Sequence, residues 1–174
     1  STLLVLVEAN RSGVEVDLTP AASMSNDGNA TLSGQVTAAN FFRQADYDAC
    51  GGDFEKFTQF LPMITLYDAN SAFKAAGIVV PPMAWIGANE ANFDLTFAQG
   101  YTQFKSFLDT APGFFYEIRG MKPGDCYTAV ATTPNYPSYQ KRICVGVNGS
   151  TATLSVNLDS AVGAGATVAG AVTS

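Results

Sequence analysis

Residues Thr2 to Glu8 read TLLVLVE, an apolar run without alternation. That is the pattern of a strand covered on both faces rather than one lying on a half-wet sheet. Gly13 to Leu18 sets Val14, Val16 and Leu18 against Glu15 and Asp17, which predicts a half-exposed strand. Pro20 and Asn26-Asp27-Gly28-Asn29 mark the loop that follows. Further strands are expected over Thr31–Ala38, Met63–Tyr67, Asn92–Phe97, Phe114–Ile118, Cys126–Ala131, Arg142–Val147 and Thr151–Leu158. Ile78-Val79-Val80 runs into Pro81-Pro82, so it reads as a sheet edge or a loop end. One short helix is predicted over Asp53–Leu61, with Phe54, Phe57 and Leu61 on one face, Asp53 as its cap and Pro62 as its stop. Tyr101–Leu108 satisfies both patterns: its apolar residues have helical spacing, while its aromatic content suits a sheet.

About eight short strands separated by Gly, Pro and Asn turns predict an all-β chain, an antiparallel β-sandwich with at most one or two short helices in its insertions. The expected organisation is an N-terminal strand segment (1–12), one sandwich domain (13–160) with insertions at 40–61 and 71–111, and a small-residue apolar tail (161–174). No βαβ alternation, GxGxxG or phosphate loop is present in the sequence.

Composition narrows the function. The 174 residues carry nine Lys and Arg against fifteen Asp and Glu, a net charge of −6, and only 14% of positions are charged, against roughly 25% in ordinary soluble chains. An acidic chain is a poor phosphate tracker, so no nucleic-acid partner is expected. There is no histidine, which removes Ser-His-Asp and Cys-His nucleophiles and the usual zinc and haem ligands. No run reaches the roughly 18 apolar residues of a membrane span. A start at Ser1 without a basic leader, low charge and abundant Ser, Thr and Asn lead us to expect a processed, extracellular or cell-surface chain. Asn10, Asn29 and Asn148 head sequons and are candidate glycosylation sites.

Cys126 and Cys144 stand equidistant from Asn135. An antiparallel hairpin turning there would set them opposite one another and pair them, leaving Cys50 odd. Three free buried thiols is the other arrangement the spacing allows.

Pro112-Gly-Phe-Phe-Tyr-Glu-Ile-Arg-Gly-Met-Lys-Pro-Gly-Asp-Cys-Tyr127, with Thr128–Tyr136 and Ile143-Cys-Val-Gly-Val147 after it, resembles carboxypeptidase regulatory-like domains and the B-type repeats of collagen-binding adhesins. Leu32–Val36 and Met63–Asn70 are similar to that family's first two strands. The resemblance covers 112–158 best. It implies a prealbumin-like, Ig-like sandwich, structural or adhesive rather than catalytic. The adhesin repeats' isopeptide bond is not implied, because the matching first strand has no Lys.

Candidate chemistry is sparse. Asp46, Asp48 and Asp53 lie in one Gly-bearing acidic loop and are the candidate calcium ligands, against a simple solvated loop; no other cofactor is expected. Asn89–Asp94 is a weaker acidic stretch. Glu55 or Glu117 paired with an Asp as a glycosidase dyad has nothing to fix its separation. Trp85 and Tyr101 are the candidate sugar-stacking rings of a monomeric carbohydrate-binding or adhesion module, although such rings are usually core. The terminal strand has two readings. Leu3, Leu4, Val5, Leu6 and Val7 pair within their own sandwich, or they complete a neighbouring copy by strand addition. In the second case the partner is the chain itself, added head to tail into a filament or surface layer. The expectation is a non-enzymatic extracellular structural subunit, with the binding module as the alternative.

Overall fold

A computed structural model describes residues 28–146 and 151–160. The apolar run at 2–8, the strand expected over Gly13–Leu18, Asn10, Asn148 and the 161–174 tail lie outside the described residues.

Strand β1 (Ala30–Thr37) buries Ala30, Leu32 and Val36 in near alternation, as a strand with one wet face must. It pairs antiparallel with β4 (Phe115–Met121), Leu32 lying opposite Ile118. On its other side it runs parallel to β7 (Thr151–Thr153) and β8 (Val156–Asn157). Gly34 sits where β7 gives way to β8. A Cβ there would lie 2.0 Å from the Leu154 carbonyl oxygen, so only glycine lets the two backbones pass. The second sheet is antiparallel, in the order β3 (Phe73–Ile78), β2 (Met63–Tyr67), β5 (Cys126–Thr133), β6 (Tyr136–Cys144). Strict alternation in β5 buries Tyr127, Ala129, Ala131 and Thr133. Leu32, Val36, Tyr116 and Ile118 from the first sheet and Ile64, Leu66 and Ala129 from the second belong to one continuous apolar core.

The remaining elements are helical: α1 (Gln44–Cys50), a 3₁₀ helix (Phe54–Phe60), α2 (Met83–Ala98) and α3 (Tyr101–Leu108). They enclose a second core of rings, Phe41, Phe42, Phe57, Phe97 and Phe104, with Cys50 and Leu108. Phe104 meets Phe42, Phe54, Phe57 and Phe97 edge to face at 5.0–5.9 Å between ring centroids, the arrangement aromatic quadrupoles favour. Ala38, Phe114 and Tyr136 touch both cores.

This architecture overturns the all-β antiparallel expectation. Of the described residues 32% are helical and 38% are strand, and one of the two sheets is mixed. The insertions at 40–61 and 71–111 supply the helices. Asn92–Phe97, expected as a strand, is the last part of α2. Phe93, Leu95 and Phe97 invite a period of two, yet Phe93 and Phe97 pack into the ring cluster one helical turn apart while Leu95 is 59% exposed. Tyr101–Leu108 resolves as helix, burying Phe104 and Leu108 at a spacing of four.

Candidate functional site

The disulfide joins Cys126 to Cys144, which face one another in the β5–β6 ladder. Cys50 is the free, buried thiol; it packs in the second core, and burial raises its pKa. Asn29 is exposed immediately before β1, in reach of a modifying enzyme.

Asp46, Asp48 and Asp53 are not brought together as a cation cage. The Asp46 carboxylate accepts the Arg43 N–H at 2.7 Å and the Asn135 side-chain amide. Asp48 accepts from the Gln44 amide at 2.9 Å. Asp53 caps the 3₁₀ helix by accepting the Glu55 N–H at 3.0 Å. Among the described residues no group of three or more His, Cys, Asp or Glu is placed to hold a metal ion.

Trp85 and Tyr101 lie on different helices and both face inward. Trp85 is half-buried, stacked on Phe107 at 5.2 Å and edge-on to Phe93. Tyr101 donates its hydroxyl to the Phe42 carbonyl at 3.2 Å and packs beside Tyr47. Tyr101 packs against the second core, while Trp85 packs on Phe93 and Phe107 at its border.

An open pocket of about 650 Å³ lies at one end of the antiparallel sheet, lined by Asp68, Asn70, Asp125, Tyr127 and Arg142 among others. Its carboxylate at Asp68 is committed. It accepts the N–H groups of Ala72 and Asn70 and pairs with Lys74 at 3.1 Å. The Ala72 N–H, then Lys74, hold its pKa below the usual carboxylate value.

A polar staple missed in the sequence joins the two cores. Arg43 donates to the Asn135 carbonyl at 3.0 Å, and the Asn135 amide donates to the Phe41 carbonyl at 2.9 Å. Tyr136 donates its hydroxyl to Asp159, while the N–H groups of Asn40 and Ala39 are received by Tyr136 and Asp159. The only sequence signal was Asn135 at the hairpin turn; its partners lie 89 to 94 residues away along the chain.

The feature most open to chemistry with another chain is the margin of the sheets. The two sheets meet along one side, where Val80 and Phe115 exchange hydrogen bonds of 2.8 and 2.9 Å. On the opposite side the last strands are β6 and the β7–β8 pair, and among the described residues no strand joins them. The register sets Tyr139, Lys141 and Ile143 of β6 opposite Ala131, Ala129 and Tyr127, the buried side of β5. Tyr139 and Ile143 are only half covered, as is Ala152 of β7, and each packs on the first core. Lys141, on this core-facing side, is exposed and has no ion-pair partner among the described residues. Among the described residues no helix is long and apolar enough to cross a membrane.

No protein-family model matches the chain, and no curated protein matches it.

Proposed function

We propose that this chain is a non-enzymatic structural subunit of an extracellular assembly, a filament or surface layer built head to tail by strand addition of residues 2–8. The observation that carries the reading is the one-sided closure of the two-sheet core among the described residues: hydrogen-bonded between Val80 and Phe115, ending on edge strands at the other margin. A sheet edge is a template for another strand. Leu3 to Val7 form a segment apolar on both faces, the composition such a site takes in. The cross-strand disulfide supports an oxidising compartment. A head-to-tail contact of this kind does not close on itself unless its rotation does, and otherwise propagates.

The experiment is electron microscopy of the purified chain beside a version lacking residues 1–9. Ordered filaments that vanish on truncation support the reading. Dispersed single particles from both samples overturn it.

A further inference from the structure

We infer that the open margin between the edge strands β6 and β7–β8, called the groove below, is the receptor for residues 2–8 of a second copy, an inference that rests on the strand-addition reading and names its acceptor. The candidate edges are not equivalent. The edge of β4 is engaged where Phe115 bonds Val80. The edge of β3 carries Lys74, drawn off to Asp68, and no half-covered apolar side chain on that strand is packed on the first core. On the β6 side Tyr139 and Ile143, and on the β7 side Ala152, are the half-covered members of that core.

Length, charge and chain path agree on the occupant. A seven-residue strand spans about 23 Å, which fits alongside the nine residues of β6. Lys141 is a cation on the core-facing side of an edge strand, a position that repels casual strand pairing and calls for an anionic partner. Glu8 is the one charge at the end of the apolar run. Among the described residues β1 begins at Ala30 and Thr31, opposite Met121 and Thr151, beside the start of β7. The nineteen residues from 9 to 27 extend to roughly 60 Å, enough to deliver the segment to an adjoining copy. The apolar tail at 161–174 starts from the Tyr136 end of the groove, where Asp159 is bound. It has no Leu, and its three Val are scattered among Ala and Gly, so it offers less bulk than the contiguous Leu and Val of residues 3–7.

The test is disulfide trapping in the full-length chain, with Cys50 left buried. Glu8→Cys combined with Lys141→Cys is oxidised under assembly conditions and run on a denaturing, non-reducing gel. Glu8→Cys with Lys74→Cys is the control at the other margin, and Val168→Cys with Lys141→Cys tests the tail. The expected result is a ladder of covalent oligomers from the first pair and its loss in the other two. Filaments without a ladder from the first pair overturn the groove while leaving strand addition standing. A cross-link confined to the monomer overturns the second copy as occupant, and a cross-link from Val168 overturns the segment. Absence of filaments from the unmodified chain overturns the underlying reading itself.

Discussion

Tyr116 is the buried polar residue with the clearest cost. It is 4% exposed in the first core, and its hydroxyl donates to the Leu154 carbonyl at 2.7 Å. Burial alone pushes its pKa from 10.0 up to about 12. The folded state thus favours the neutral phenol. Its contribution is fully present below the unfolded pKa and is lost as pH rises through the folded one. Stability is expected to fall by about 3 kcal/mol between pH 10 and 12, read by urea denaturation alongside tyrosinate absorbance. Tyr116→Phe should cost about 1 kcal/mol at neutral pH, from the carbonyl left without its donor, and lessen the alkaline decline, to which Tyr127 and Tyr136, also raised by burial, contribute the rest. In the ring cluster, Phe104 is fully buried against five aromatic neighbours, four of them edge to face. Phe104→Ala is expected to cost about 3–5 kcal/mol in the same denaturation experiment, because rigid rings collapse poorly around a cavity.

At the scale of elements, the β5–β6 hairpin is the part held most firmly by covalent chemistry. Replacing both Cys126 and Cys144 by Ser opens a loop of 18 residues and should lower stability by about 3 kcal/mol, with reduction of the native chain giving the same shift in urea midpoint. This hairpin was also the most legible part of the sequence. The symmetry of the two cysteines about Asn135 pointed to the turn and to the pairing that the structure has, against three free thiols, and the alternation in β1 and the apolar run of β2 identified those strands. The helical layer was harder to read. Phe93, Leu95 and Phe97 alternate over too short a window to separate a strand from a helix, and the missing information was which of the three would find a partner. Gln44–Cys50 has a single buried residue, Cys50, and so shows almost no periodicity. β3 reads FKAAGI, too poor in large apolar residues to announce a strand; it forms because β2 lies beside it. The parallel course of β7 and β8 along β1 depends on how the chain crosses from one sheet to the other, which no local pattern encodes. Of the candidate site residues, the acidic loop and the aromatic pair were chosen by residue type. Their carboxylates instead accept local backbone and side-chain hydrogen bonds, and their rings pack in or beside the second core.

At the scale of the whole molecule, two cores meet through Ala38, Phe114 and Tyr136 and are tied by the Arg43–Asn135 and Tyr136–Asp159 contacts. The helical layer covers one region, and among the described residues the sheets are stitched at one margin and end on edges at the other. On the proposed reading the open margin is the acceptor, and the apolar run at residues 2–8 is the donor. The most direct measurement is sedimentation velocity across a wide concentration range on the intact chain and on the chain lacking residues 1–9. The account predicts that the intact chain shifts to large, polydisperse species while the truncated one sediments as a single monomer at every concentration. A monomer in both samples, or assembly undiminished by the truncation, would contradict it.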